Sequence, residues 1–190
     1  FFNNRLFRGN RVVKVSADSF DAFDTPNMRP LLQAGIHIKL ISGELSQPRA
    51  SAMQLHSITA QPIGVIHLYP GISTELIEHI IEQPVKALII QSYGVGNAPQ
   101  RQDLLDCLKR ANDNGIVLVN CTQCAKGSVD MSGYTSGSSL SQCGVISGHD
   151  MTLEAALTKL HVLLSRNLSS SEIKLNMQAN LRGELTPLLR

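Results

Sequence analysis

Tryptophan is absent from this sequence of 190 residues, and only 4% of its residues are aromatic. Aromatic platforms on which nucleic-acid bases stack are therefore not expected. The formal net charge is only +2, which favours neither a nucleic-acid partner nor an anionic membrane. No apolar run approaches the roughly 20 residues of a membrane span. These absences predict a globular protein without a nucleic-acid or membrane partner.

Cysteine is also scarce, with four residues at positions 107, 121, 124 and 143. So few, widely spaced cysteines are not typical of a secreted disulfide scaffold, and a reduced, cytoplasmic setting is predicted instead. Cys121 and Cys124 form a lone CxxC motif, whereas a zinc site would need a second ligand pair. The histidines form no HExxH or HxxxH motif. We therefore predict no metal and no cofactor, and we interpret the cysteines as buried or site-lining thiols.

The chain begins without methionine, on Phe1 and Phe2, which resemble the middle of a strand. We interpret the sequence as the C-terminal part of a longer polypeptide. The first fifteen residues read as an extended segment with a turn at Arg8–Asn10. Basic side chains recur there at every third position, a period that fits neither a strand face nor a helical stripe. Spacing alone predicts solvated charge on either side of a hairpin, carried by Arg5, Arg8, Arg11 and Lys14.

Lys14 differs from these arginines because apolar residues flank it in the segment VVKVSA. Burial among such neighbours would favour the neutral amine, which could then take part in proton transfer. Lys14 is therefore a candidate catalytic residue on sequence alone.

From Pro62 onward, short apolar runs alternate with amphipathic segments. The predicted strands are 64–68, 85–90, 116–119 and 145–146, and the predicted helices begin near 73, 100, 150 and 169. This order predicts an α/β fold: a C-terminal parallel-sheet (Rossmann-like) domain, preceded by the tail of an α/β N-terminal domain. The predicted boundaries are 1–42 for that tail, 43–61 for a linker and 62–190 for the C-terminal domain.

Helix-capping residues support these boundaries. Ser73 and Asp150 each precede a helical pattern and are predicted to cap it. Ser169 and Glu172 stand three residues apart at the start of the last helical pattern, which predicts a capping box. That helix is predicted to continue to about Leu181. The glycine- and serine-rich stretch through Gly137 is predicted to be a loop.

The predicted strands end in YPGIS, SYGVGN, NCTQC and SGHD. The carboxyl ends of parallel strands form the ligand crevice in open α/β sheets, so a small-molecule site is predicted at this edge. The segment Gly94–Pro99 resembles GxGxxG, but a dinucleotide site would need an acidic residue where the next strand ends in Asn120. The segment GYTSG at 133–137 follows no strand, which disfavours a nucleophile elbow.

A family resemblance rests on seven segments that follow one another along nearly the whole chain. They are FFNNRLFRGNRVVK, FDAFDTPN, PLLQAGI, ITAQPIGVIHLYPGIS, QPVKALIIQSYGVGNAPQ, VNCTQCAKGSVDMSGY and DMTLEAALTKL. In this order they closely resemble the cytoplasmic, type I bacterial L-asparaginases. The resemblance implies a two-domain α/β amidohydrolase that forms dimers or tetramers. It also implies conversion of L-asparagine to L-aspartate and ammonia through a threonine acyl-enzyme.

The family's nucleophilic threonine lies in a TGGT-type loop, and a second threonine and an aspartate lie in a GTDT-type motif. Neither motif occurs in this sequence. We therefore expect the 190-residue chain to be inactive by itself. The resemblance places Lys14 at the catalytic lysine, which assists proton transfer and holds the second threonine and its aspartate. Asn97 matches a position that reaches into the active site of a neighbouring subunit.

Type I bacterial enzymes can carry a separate asparagine-binding allosteric site. The resemblance assigns to this site Gln91, Thr122, Gln123 and Cys124. The family often has arginine where this chain has Gln91, and arginine would hold a ligand carboxylate with two parallel hydrogen bonds. We therefore expect weak or no sigmoidal dependence on asparagine.

Two alternatives to an asparaginase stay open. One is a non-catalytic regulatory or assembly module that binds an amino acid. The other is an amidotransferase subunit that acts on charged tRNA, which the near-neutral charge disfavours.

Overall fold

A computed structural model describes residues 1–41, 55–131 and 135–187 of the chain. Most of the predicted linker therefore lies outside the described residues. The N-terminal segment contains only short strands, and a one-turn 3-10 helix at Gly9–Arg11 replaces the predicted turn. The strands are β1 (Arg5–Leu6), β2 (Val13–Lys14), β3 (Phe23–Asp24), β4 (Leu32–Gln33) and β5 (Lys39–Leu40).

These strands form two small antiparallel sheets. The first has the order β1-β4-β5, and the second consists of β2 and β3 alone. In the second, Val13 is paired with Asp24 and Lys14 with Phe23. We call this two-stranded unit, residues 13–24, the ribbon.

The C-terminal part is built on a four-stranded parallel sheet in the order β6-β7-β8-β9. This arrangement confirms the predicted parallel-sheet fold. The strands are β6 (Ile63–His67), β7 (Ala87–Ser92), β8 (Val117–Thr122) and β9 (Ile146–Ser147). The helices are α1 (Thr74–Glu82), α2 (Gln102–Asp113), α3 (Thr135–Gln142), α4 (Leu153–Leu164) and α5 (Ser170–Gln178).

The central strands are apolar on both faces because helices cover both faces of the sheet. On one face, Leu88 and Leu118 pack with the side chains of α1, α2 and α3. On the other face, Ile89 and Val119 pack with α4 and α5. Side chains alternate between the faces of a strand, so each run of β-branched and leucine residues supplies two cores.

The structure corrects two of the predicted element boundaries. The glycine- and serine-rich stretch is not a loop through Gly137, because α3 begins at Thr135. Gly137 fits there because a Cβ atom would stand only 3.0 Å from the Cα atom of Met131. The last helix ends at Gln178 rather than near Leu181.

The capping predictions had mixed outcomes. The Ser169–Glu172 capping box is confirmed. Ser73 occupies the N-cap of α1 without a capping hydrogen bond from its side chain. Asp150 does not cap α4, because Thr152 holds that position and its hydroxyl accepts a hydrogen bond from the Ala155 amide. The carboxylate of Asp150 is engaged elsewhere.

Candidate functional site

The carboxyl ends of β6, β7 and β8 form one polar edge. Parallel pairing places His67 opposite Gln91 and Gln91 opposite Cys121. The Nδ1 atom of His67 lies 3.3 Å from the Oε1 atom of Gln91. The side chain of the half-buried Gln91 is therefore within hydrogen-bond distance of the exposed imidazole of His67 on β6, an edge strand of the sheet.

Gln123 joins two of these strand ends. Its Nε2 atom donates hydrogen bonds to the carbonyl of Leu68 at 2.6 Å and to that of Gln91 at 2.8 Å. Its backbone amide donates to the carbonyl of Ser92 at 3.0 Å. A single residue therefore fixes the segments that follow β6, β7 and β8 relative to one another.

Thr122 and Cys124 lie on the same edge but make different contacts. The Thr122 hydroxyl donates a hydrogen bond to the Gly94 carbonyl and accepts one from the Cys124 amide at 3.0 Å. The Cys124 thiol is exposed. The structure therefore brings together all four residues predicted for the allosteric site, with Thr122 committed to the loop after β7.

The two cysteines of the CxxC motif lie in contrasting surroundings. Cys121 belongs to β8 and its side chain is buried in the core, where burial raises the pKa of its thiol to about 12. Cys124 is exposed. The prediction of buried or site-lining thiols agrees with this arrangement, and all four cysteines are free.

The loop after β7 is held tightly by its own backbone and by Asn120. The amide of Tyr93 donates to the carbonyl of Asn97 at 2.9 Å, and the Asn97 amide donates back at 2.8 Å. The Nδ2 atom of Asn120 donates to the Gly96 carbonyl at 3.1 Å. Gly96 has a φ of +120°, and a Cβ atom there would stand 2.9 Å from Val129. Asn120 thus supports the loop where a dinucleotide site would need an acid.

Asn97 is half-buried at the end of this closed loop. Its two backbone hydrogen bonds with Tyr93 fix the position of its main chain. A residue held in this way loses little backbone freedom when a ligand or another subunit binds against it.

Lys14 lies apart from the strand-end edge, on β2 of the ribbon. The expectation that apolar neighbours bury it is wrong, because the side chain is exposed. Its flanking residue Val15 is itself 53% exposed. The Lys14 Nζ atom lies 5.1 Å from the centre of the Phe23 ring, where a cation–π attraction is effective. The ribbon is too short and too thinly covered to bury the amine despite the apolar sequence around it.

Arg11 is the clearest departure from the sequence-based prediction. Spacing predicts a solvated charge, yet the residue is only 3% exposed. Its Nη1 and Nη2 atoms donate to Oδ1 and Oδ2 of Asp150 at 3.0 and 2.7 Å. Asp150 is 7% exposed, so both partners are buried. The regular spacing of the four basic residues predicts the same solvated environment for all of them, so it could not single out Arg11.

Burial alone would raise the pKa of the Asp150 carboxyl. Hydrogen bonds from Arg11 and Thr186 outweigh that effect and hold the pKa below its usual value. The Thr186 hydroxyl donates to Oδ2 at 2.5 Å and the Thr186 amide to Oδ1 at 2.8 Å. The carboxylate is therefore charged at neutral pH and links the N-terminal segment to the end of the described chain.

The described ranges show two further features. No helix among them is long and apolar enough to cross a membrane. Within the same ranges, no group of three or more His, Cys, Asp and Glu side chains is arranged to hold a metal ion.

Fold and site together define a class of protein. A parallel sheet covered on both faces carries polar, glycine-containing loops along the carboxyl edge, where open α/β proteins bind small ligands. A separate N-terminal segment presents an exposed lysine from an anchored ribbon. This combination is that of an α/β protein whose strand-end edge has the architecture of a small-ligand site.

Comparisons with known proteins identify the family within that class. Residues 62–177 match the family described as "Glutaminase/Asparaginase C-terminal domain". Residues 1–45 match the family described as "Asparaginase, N-terminal". The chain therefore belongs to the glutaminase/asparaginase family.

Among curated relatives, the chain is 55% identical over 187 residues to "L-asparaginase 1" of Escherichia coli K12, covering 98% of this chain and 55% of that protein. It is 40% identical to "L-asparaginase" of Dirofilaria immitis, with 98% and 32% covered. Among solved structures, L-asparaginase I from Vibrio cholerae matches with a TM-score of 0.93 and 54% identity, over 98% of this chain and 56% of that chain. The chain thus spans about half the length of the bacterial relative it matches.

Proposed function

We propose that the complete gene product containing this chain hydrolyses L-asparagine to L-aspartate and ammonia. The observation that carries this proposal is the 55% identity with an L-asparaginase over 98% of the chain. A threonine outside this chain attacks the amide carbon and ammonia leaves, which gives an acyl-enzyme. Water then hydrolyses the ester to release aspartate and the free threonine. The protein acts in the cytoplasm as a homo-oligomer, a dimer or tetramer.

Lys14 is the catalytic residue that this chain contributes. Its role is to assist proton transfer and to hold the second threonine and aspartate of the triad. Its exposed amine supports this role, because a group that serves another part of the protein must be accessible from outside the ribbon. The ring of Phe23 beside the amine restricts its position. Asn97 completes the active site of a neighbouring subunit.

The chain is divided into the end of the catalytic domain (1–42), a linker (43–61) and a C-terminal domain (62–190). The two family matches, at residues 1–45 and 62–177, support this division. Within the C-terminal domain, Gln91, Thr122, Gln123 and Cys124 form an allosteric crevice. Their common position on one sheet edge supports that assignment.

The proposal is tested by measuring ammonia release from L-asparagine. The purified 190-residue chain is expected to release no ammonia, whereas the complete gene product is expected to hydrolyse L-asparagine. In the complete gene product, Lys14→Ala is expected to lower kcat by about 10²–10⁴-fold, the usual contribution of a group that transfers protons. Lys109→Ala is the matched control, because Lys109 is an exposed lysine that pairs with Asp113 on α2.

Two results would contradict the proposal. One is turnover by the 190-residue chain alone, and the other is an unchanged kcat in Lys14→Ala. Calorimetry with asparagine and aspartate distinguishes an asparaginase from the alternative, a non-catalytic regulatory or assembly module. Binding to the complete gene product without any ammonia release would favour that module.

A further inference from the structure

The ribbon that carries Lys14 has little stability of its own. β2 and β3 contribute two residues each, and the pairing is extended by a hydrogen bond from the Val15 amide to the Ala22 carbonyl at 2.8 Å. An isolated two-stranded hairpin is at best marginally stable in water. The position of Lys14 therefore depends on what fixes the base of the ribbon.

One arm of the ribbon is fixed by Arg11, which precedes Lys14 by three residues. Besides the paired contact with Asp150, its Nη1 atom donates to the Glu184 carbonyl at 2.8 Å. Its Nη2 atom donates to the Thr186 hydroxyl at 2.9 Å. The guanidinium therefore meets several acceptors from the C-terminal domain, and its planar fork determines its orientation.

The other arm is fixed by Asn27, which follows Asp24 of β3 by three residues. Its Nδ2 atom donates to the Asp150 carbonyl at 3.1 Å. The same side-chain amide exchanges hydrogen bonds with Gly127, accepting from its backbone amide at 2.9 Å and donating to its carbonyl at 3.1 Å. The Asn27 carbonyl in turn accepts from Arg11 at 3.2 Å. Both arms therefore meet at Asp150.

Stability alone is a weak reason for such a pair. Removing two charges from water costs several kcal/mol per ion, and well-packed apolar residues often stabilise a fold as well or better. A bidentate pair does supply a defined orientation, which apolar contacts supply less well. The buried charges therefore call for a role in positioning.

We infer that Arg11, Asp150 and Asn27 are positioning residues for Lys14, which they hold by anchoring both arms of the ribbon to the C-terminal domain. This inference rests on the proposed function of Lys14. Three extended residues span at most about 10 Å, so a displacement at Arg11 is transmitted to Lys14 with little chain to absorb it. A misplacement of about 1 Å can reduce a rate by about 10²-fold.

The test compares kinetics and folding of the complete gene product with those of its variants. Arg11→Gln is expected to lower kcat per folded active site by about 10–100-fold, with KM changed by less than about threefold. The folded fraction is measured by circular dichroism and thermal unfolding. In the double variant Arg11→Gln/Lys14→Ala, kcat is expected to equal that of Lys14→Ala alone, because Arg11 acts through Lys14.

Two control variants separate positioning from general damage. Arg110→Gln removes a guanidinium that pairs with Glu78 on the exposed surface of α1 and α2. Leu108→Ala removes a buried side chain of α2 from the core on the face of the sheet opposite α4 and α5, away from the hydrogen bonds of Arg11 and Asn27. Arg110→Gln is expected to retain stability and kcat, whereas Leu108→Ala lowers the melting temperature but not kcat per folded site.

The outcomes distinguish the inference from the proposed function. If Arg11→Gln lowers only the folded fraction and kcat per folded site is unchanged, the positioning role is wrong while the role of Lys14 stands. If Lys14→Ala retains the original kcat, the proposed function fails and the inference fails with it. If Arg11→Gln does not fold, Asn27→Ala is tested in its place, because the Asn27 variant keeps the Arg11–Asp150 pair. An unchanged kcat per folded site in Asn27→Ala then overturns the inference.

Discussion

At the scale of single residues, Asp150 connects distant parts of the chain. Its carboxylate accepts hydrogen bonds from Arg11 and Thr186, and its carbonyl accepts one from Asn27. The pKa of the carboxyl is below its usual value, because the hydrogen bonds from Arg11 and Thr186 outweigh burial. Such a group binds fewer protons in the folded than in the unfolded state. It therefore stabilises the fold above about pH 4, and this contribution is lost as the pH falls through the folded pKa.

Asp150→Asn tests this contribution. The change leaves the Arg11 guanidinium buried without a counter-ion, so we expect a loss of about 3–5 kcal/mol in the free energy of unfolding at pH 7. The original chain loses stability as the pH falls below about 4, and the variant is expected to lose less over the same interval. Urea unfolding at several pH values measures both effects. An identical acid dependence in the two proteins would show that Asp150 does not contribute.

At the scale of elements, helix starts illustrate which local signals are used. The Thr152 hydroxyl accepts a hydrogen bond from the Ala155 amide at 3.1 Å at the start of α4. Ser73 stands at the equivalent place before α1 but makes no such hydrogen bond. The two residues have similar side chains, so they offer a matched comparison of a cap that is made and one that is not.

We expect Thr152→Ala to lower the free energy of unfolding by about 1 kcal/mol, the usual value of an N-cap hydrogen bond. Ser73→Ala is expected to change it by less than about 0.5 kcal/mol, as for an ordinary surface substitution. Denaturant unfolding of both variants with a common slope provides the measurement. Equal losses in the two variants would mean that the capping hydrogen bond has no effect.

At the scale of the whole molecule, the residues at the carboxyl ends of the parallel strands determine how tightly the proposed allosteric crevice would bind asparagine. Gln91 stands at the end of β7, beside His67, and its carbonyl is bound by the Gln123 side chain. An amide there can bind a carboxylate with single hydrogen bonds, but it lacks the charge and the fork of a guanidinium. The proposed allosteric crevice is therefore expected to bind asparagine weakly.

The complete gene product is expected to show weak or no sigmoidal dependence of rate on asparagine concentration. Gln91→Arg is expected to increase the Hill coefficient, because arginine supplies the bidentate contact that glutamine lacks. Steady-state rates over a wide range of asparagine concentration test both statements. Strongly sigmoidal kinetics that are abolished by Cys124→Ala or Thr122→Ala would contradict the first.

Much of the C-terminal domain could be predicted because its signals are local. The apolar run Ala87–Ile90 predicts a buried strand, and the strand is found with both faces covered. Ser169 and Glu172 are three residues apart, so their capping box needs no information from the rest of the chain. The polar ends of β7 and β8 could likewise be placed on one edge, since parallel strands end together.

The ribbon and its anchors could not be predicted in the same way. The apolar neighbours of Lys14 predict burial, yet the strands there are too short and too exposed to bury it. Asp150 is predicted to cap a helix because capping is a common local use of aspartate before a helix. Its actual partner, Arg11, is 139 residues away along the chain.

The sequence by itself determined the parallel α/β sheet and the strand-end loops, because hydrophobic periodicity and turn residues depend on contacts between near neighbours. It also determined the family, because the characteristic segments extend along nearly the whole chain. Only the tertiary structure decided which charges are buried and what holds Lys14. A buried ion pair depends on two side chains meeting after the sheet and its helices have packed. The spacing of residues along the sequence does not predict that contact, so the ion pair between Arg11 and Asp150 could be identified only in the folded structure.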